Sequence, residues 1–205
     1  MSLLDELYFY KALGYKYIRP QTRSNLISPS FDELNLQIKY CNLCDLCKTR
    51  SNSVLGSGNK DAKIMILGEF PDLDEDKIQK ANLPTNLLNL ISNLQIPLNQ
   101  IYYTYILKCT PLKSKHSRKI CYNQCLDFFK SELNLIKPNL IVVLGQSVFE
   151  VLFGDTGYSY DSIRGGIFSY ENTNLLATHS PKIAQKSPNL TNEFAIDLIK
   201  IKDFL

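Results

Sequence analysis

The chain has no run of about 18 uninterrupted apolar residues, so its pattern offers no membrane-spanning helix. It also lacks the basic stretch that opens a secretory signal; Asp5 and Glu6 stand where lysines or arginines belong. A cytoplasmic protein with no membrane partner is the expectation. There is no internal repeat. Neither sign of charge dominates: 23 Lys and Arg face 20 Asp and Glu, for a net charge of +3. That balance permits nucleic-acid binding without arguing for it, which takes a local basic cluster. What remains is ordinary for a soluble globular protein, with 44% hydrophobic and 21% charged residues. The 205 residues suffice for one core-forming domain with some extra length. The six cysteines, in a reducing compartment, point to metal binding or chemistry before disulfides.

Residues 3–14 read as a short helix ended by Gly14, and residues 19–30 as a polar, proline-punctuated linker. Residues 1–36 are thus expected to form a helical extension and linker. Ser30 or Asp32 is placed to cap a helix that leads into the cysteines. The domain proper is expected over residues 37–205. Short apolar runs at Lys63–Leu67, Ile101–Leu107, Asn139–Gly145 and Asn174–Thr178 read as buried strands. Helical stretches fall near residues 85–95, 118–136 and 146–153, and after Thr191. Alternating strands and helices predict a three-layer α/β/α sandwich around a four-stranded parallel sheet. Ligands of such sheets sit beyond the carboxyl ends of the strands. Those ends carry Gly68-Glu69-Phe70-Pro71, Lys108-Cys109-Thr110-Pro111, Gly145-Gln146-Ser147 and His179-Ser180-Pro181.

Cys41, Cys44 and Cys47 make two overlapping C-x-x-C pairs, each able to present two thiolates to one metal centre. Cys109 follows a strand end. Cys121 and Cys125 are i and i+4, on one face of the next helix. Two frames fit the spacing. One uses Cys41, Cys44, Cys109 and Cys125; the other is a zinc site of Cys44, Cys47, Cys121 and Cys125. The bland alternative, free buried cysteines acting as small hydrophobes, suits Cys47 or Cys121 but not all six.

The residues around the cysteines carry a resemblance. Cys41-x-x-Cys44-x-Leu46-x-x-Thr49-Arg50, Val54-x-Gly56-x-Gly58, Ala62-Lys63-Ile64-Met65 and Gly68-Glu69-x-Pro71-x-x-x-Glu75-Asp76 resemble the opening of the family 4 uracil-DNA glycosylases. Lys108-Cys109-x-Pro111 is similar to the segment of that family's third cluster ligand, and Cys125 has the spacing of the fourth. Pro138, Leu144-Gly145 and Arg164-Gly165 extend the likeness, which spans about residues 37–200. The resemblance implies an α/β/α fold and a 4Fe-4S cluster on Cys41, Cys44, Cys109 and Cys125, leaving Cys47 and Cys121 spare; zinc is the alternative metal. It also implies DNA, single-stranded or damaged, as the partner.

The pocket residues depart from that pattern in four places. Asp72 replaces a glycine of the first motif, where a β-carbon limits close backbone approach. The segment Gln79–Asn86 is shorter than the family's and lacks its stacking aromatic, a contact worth about 1–3 kcal/mol per base. Tyr105 stands where the family has a base-reading asparagine; it lacks the paired amide donor and acceptor, and its ring would fill a small pocket. The family's final motif begins His-Pro, whereas here Ser180 takes the histidine's place and His179 comes one residue early, on the other side of an extended segment.

Glu69 and a repositioned His179 are the candidate catalytic residues. Phe70, Pro71, Tyr105, Lys113, Lys115, Arg118, Ser180 and Lys182 are the candidate DNA-binding residues, the basic ones for phosphate affinity and the aromatics for stacking. The expectation is an iron–sulfur DNA-binding protein in a repair context with uracil excision weak or lost. An active glycosylase for uracil or another damaged base is one alternative, and a metal-stabilised interaction protein is another. The acidic run Asp72, Asp74, Glu75 and Asp76 invites a divalent-metal nuclease reading, which the resemblance disfavours.

Overall fold

Four strands that are apolar on both faces can hide them only between two layers of helices. The computed structural model, which describes residues 30–111 and 118–205 and only the backbone of 118 and 119, has that arrangement. Its elements are α1 (Phe31–Lys39), β1 (Ser57–Gly58), β2 (Ile64–Gly68), α2 (Leu73–Ile78), α3 (Thr85–Asn93), β3 (Ile101–Tyr105), α4 (Arg118–Ile136), β4 (Leu140–Leu144), α5 (Gln146–Phe153), α6 (Tyr160–Ile163), β5 (Ile167–Tyr170), β6 (Thr173–Thr178), α7 (Pro181–Ala184) and α8 (Pro188–Ile199). A boundary after residue 36 falls inside α1. The expected helix over 3–14 and, but for Ser30, the expected linker over 19–30 lie outside the described residues.

The sheet is ordered β1-β3-β2-β4-β6-β5. The four expected strands form its parallel centre, β3-β2-β4-β6. The sheet is wider than expected because β1 and β5 pair antiparallel at its two edges. The β5–β6 hairpin turns at Glu171 and Asn172, both with positive φ (47° and 63°), as a primed turn requires.

Side chains alternate across the sheet with period two. Ile64, Ile66, Tyr103, Tyr105, Val142 and Leu176 face a core closed by Leu87 and Ile91 of α3 and Phe194 and Leu198 of α8. Met65, Leu67, Ile141, Val143 and Leu175 face the opposite core, closed by Phe129 and Leu133 of α4 and Val148 and Phe149 of α5. Helix α1 starts at Ser30, whose hydroxyl accepts from the Glu33 amide while the Glu33 carboxylate accepts from the Ser30 amide. Its buried Leu34 and Ile38 enter a third, smaller core that also holds cysteines. Among the described residues no helix is long and apolar enough to cross a membrane.

The register places the site. Gly68 lies opposite Tyr105, and Leu144 opposite Thr178, so the four parallel strands finish at one edge. Beyond β3 the chain stays beside β2: the Ile106 amide bonds to the Gly68 carbonyl and the Leu107 amide to that of Glu69. This continuation delivers Lys108 and Cys109 to the same edge.

Candidate functional site

The last turn of α1 runs into Cys41, and a 3-10 turn over Asp45–Lys48 follows Cys44. Helix α4 buries one stripe of spacing i, i+4, i+7: Cys121, Cys125, Phe128, Phe129, Glu132, Leu133 and Ile136. The amino-terminal half of the stripe faces the cysteine loop. Cys109, Cys121 and Cys125 are buried with Leu34, Ile38, Leu46, Leu107 and Phe128, and Cys41 and Cys44 pack against them. Cys47 is half-buried and outside that shell. No described cysteine is in a disulfide.

Burial pushes the Cys109 thiol up to about 12 and the Cys125 thiol to about 11. The Arg50 guanidinium opposes this at Cys109, donating from Nη1 to its Sγ at 2.8 Å, while Nη2 donates to the Cys41 carbonyl at 2.6 Å. Cys109 feels the charges of Cys125 and Cys44, and Cys125 those of Cys44 and Cys41. The four cysteines singled out by the resemblance therefore stand within mutual electrostatic reach. Among the described residues no three Cys, His, Asp or Glu side chains close on one single-ion position. The donor set is soft thiol in an apolar shell with an N–H donor aimed at a sulfur. Such chemistry fits a thiolate-bound iron–sulfur or zinc centre.

Below Cys109 lies a buried ion pair. Lys108 Nζ reaches Glu132 Oε2 at 2.7 Å, each side chain being 1% exposed. Thr104 Oγ1 accepts from Lys108 and donates to Glu132.

At the end of β2, Glu69 Oε1 accepts from the Tyr122 hydroxyl at 2.5 Å, which links it to α4 one residue past Cys121. Pro71 is buried, and Phe70 packs against the cysteine shell. Lys182 Nζ lies 5.7 Å from the centre of the Phe70 ring, within cation–π range. Lys113 and Lys115 lie outside the described residues, as does the side chain of Arg118.

Tyr105 fills the space in front of Gly68. A β-carbon on Gly68 would come within 2.7 Å of its ring, and Tyr105 is 6% exposed. Its hydroxyl donates to the Glu75 carboxylate, at 2.8 Å from each oxygen, and accepts from Tyr103 at 2.9 Å. Burial first, then the neighbouring Tyr103 and Glu75, hold the phenol well above its ordinary pKa, so it remains a donor.

The acidic run is occupied structurally. Asp72 caps α2 by accepting from the Asp74 and Glu75 amides, and Glu75 answers by accepting from the Asp72 amide. Asp76 is buried and accepts from the Ser51 amide at 3.1 Å and from the Asn52 amide. Asp74 pairs with Lys77 at the surface. These roles leave no cluster of carboxylates open to a divalent ion.

His179, just past β6, is buried, and its Nε2 lies 3.1 Å from Glu193 of α8. Glu193 also pairs with Arg164, which reaches Asp197 at 2.8 Å; Asp197 accepts from Thr178. Ser180 is the cap of α7. A hollow of about 410 Å3 lined by Asn139, Asn172, Asn174 and Asp203 lies at the amino ends of β4 and β6, away from these groups.

Sequence reasoning missed Glu75 and Glu193 as partners of the site. The spacing Asp72-x-x-Glu75 was a legible capping signal; the pairing of Glu193 with a residue 14 positions earlier had none.

The profile of the uracil DNA glycosylase superfamily matches residues 55–199. The type-4 uracil-DNA glycosylase of Archaeoglobus fulgidus is 28% identical over 182 residues, covering 84% of this chain and 92% of that protein. That of Sulfurisphaera tokodaii is 26% identical, covering 85% and 84%. That of Thermotoga maritima is 25% identical, covering 82% and 91%. With four parallel strands ending beside the cysteine shell and a profile match across most of its length, the chain belongs to the uracil DNA glycosylase superfamily, with type-4 enzymes as its relatives.

Proposed function

We propose that this protein is an iron–sulfur DNA-binding member of the superfamily, acting in DNA repair or processing, in which uracil excision is weak or lost. The observation that carries the reading is the Tyr105 phenol, bonded to Glu75 and packed on Gly68 where a base would enter. A flipped base must occupy such a pocket and be read along its edge. Displacing Tyr105 forfeits a hydrogen bond to a carboxylate worth about 1.5–3 kcal/mol. Stacking of the incoming base returns about 1–3 kcal/mol. The exchange therefore brings no net gain, and no side-chain amide replaces the lost edge recognition. His179 and Ser180 point the same way, being engaged by Glu193 and in the cap of α7.

Cys41, Cys44, Cys109 and Cys125 would hold a 4Fe-4S cluster. A thiolate cluster supplies a cross-link between the α1 loop, the end of β3 and α4. Lys182 beside Phe70, with Lys113, Lys115 and Arg118 in the neighbouring sequence, would supply phosphate contacts to single-stranded or damaged DNA.

Two assays on anaerobically purified protein test this. A binding titration with single-stranded DNA across salt concentrations should show affinity that falls as salt rises, and an excision assay on uracil-containing strands should show little or no product. Stoichiometric zinc without iron or sulfide would overturn the cluster assignment, and salt-insensitive or absent binding the DNA assignment.

A further inference from the structure

The sheet ends at β5, and among the described residues no strand pairs with its outer edge. Which backbone groups face outward follows from the hairpin. The Gly165 amide donates to the Ala177 carbonyl, and the Ala177 amide to the Gly166 carbonyl, so two residues share Ala177 in a bulge. Gly166 thus bonds inward, and the alternation of an antiparallel ladder turns the backbone groups of Phe168 and Tyr170 inward too. Ile167 and Ser169 therefore present their N–H and C=O groups to the open edge, and both residues are exposed. Edge strands are usually blunted by charge or proline, and Ile167-Phe168-Ser169-Tyr170 has neither. The rings at this edge are incompletely covered. Phe168 and Tyr170 are half-buried, with the Phe153 ring centre 6.1 Å and 5.7 Å from theirs.

We propose that this edge pairs with β5 of a second copy of the chain, antiparallel, about a two-fold axis through Phe168. The strand fits itself in that register. Ile167 lies opposite Ser169 of the other copy, where their outward N–H and C=O groups exchange hydrogen bonds, and the axis repeats the exchange. Phe168 meets its own symmetry mate in the closely spaced, non-hydrogen-bonded pair, a cross-strand aromatic contact that covers the half-buried ring. No like charges meet: Glu171 comes opposite Gly165 and is already paired with Lys130 at 3.2 Å. A register centred on Ser169 would instead need Glu171, whose φ is 47°, to pair as a strand residue. The axis stands perpendicular to the sheet and reverses strand direction. The strand ends that carry Glu69, Cys109 and His179 therefore point in opposite directions in the two copies, and each stays open.

Sedimentation velocity of wild type, Ser169→Pro and Ile167→Lys, from micromolar to millimolar concentration, tests this. Proline at 169 removes an outward N–H that β6 does not use, which edge strands tolerate. Ile167→Lys places a charge on the edge, the usual guard against pairing. Wild type should dimerise reversibly. Each variant should raise the dissociation constant at least about tenfold, with far-ultraviolet dichroism unchanged. Should Ser169→Pro not fold, Ile167→Lys, at a position 46% exposed, carries the comparison. A wild type that stays monomeric throughout overturns the proposal. So does a dimer that either folded variant leaves intact, because it would form through another surface.

Discussion

Arg50 donates to the Cys109 sulfur at 2.8 Å although the two residues are 59 positions apart. Through its second amino group it also holds the Cys41 carbonyl, so one guanidinium joins the loop after α1 to the end of β3. An N–H donor on a cluster sulfur stabilises the more negative, reduced form. Arg50→Ala should lower the reduction potential of the loaded protein and speed iron loss. Arg50→Lys, a point charge without the planar fork, should recover only part of either property. Spectroelectrochemical titration of the three proteins measures this; equal potentials would count against it.

The Lys108–Glu132 pair makes a prediction about stability. Both side chains are 1% exposed, and the pair is completed by Thr104. Glu132→Ala strands a buried ammonium and should cost about 3–5 kcal/mol in urea unfolding. A Lys108→Met/Glu132→Leu double variant removes both charges and should be far less destabilised than Glu132→Ala. Similar losses in the two proteins would show that packing, not the uncompensated charge, sets the cost.

Loss of the proposed centre should loosen one region. The centre would bridge α1, the Cys41–Cys47 loop, Cys109 and α4, while the two sheet-facing cores stand without it. Stripped protein should therefore keep its far-ultraviolet dichroism, melt at a lower temperature, and be cut first around residues 40–50 in limited proteolysis. Cleavage spread evenly through the chain would contradict that local role.

The parallel strands were legible because Ile64–Gly68 and Leu140–Leu144 are buried on both faces, which leaves an unbroken apolar run. The edge strands were not. Ser57–Gly58 is two residues long, and Ile167–Tyr170 alternates between exposed and half-buried positions at the sheet margin. Its turn uses Glu171-Asn172 rather than a glycine-containing pair, so the usual hairpin signal is missing. The cysteine loop announced itself through its short repeat spacing. The substitution of Tyr105 was visible too, and so was the bulk of its ring. What fixes the ring is Glu75, on a helix 30 residues earlier, and only the fold brings the two together. His179 shows the same limit: its one-residue displacement was readable, but its pairing with Glu193 depends on how α8 packs.

Tyr105 also gives a variant with a direction. Tyr105→Asn removes the ring from Gly68 and restores an amide at the end of β3. It should bind uracil-containing single-stranded DNA more tightly than wild type while leaving affinity for undamaged DNA unchanged. Equal preference in the two proteins would place the discrimination elsewhere.

The most direct measurement is single-turnover excision of uracil from a single-stranded oligonucleotide with protein in excess, run beside the Archaeoglobus fulgidus type-4 enzyme. Loss of a stabilising donor alone typically slows such chemistry about 100- to 1000-fold. The closed Tyr105–Glu75 pocket predicts a rate at least about 100-fold below that of the relative. A rate matching the relative would contradict it, because a base would then be entering and reacting in a site the tyrosine is held to fill.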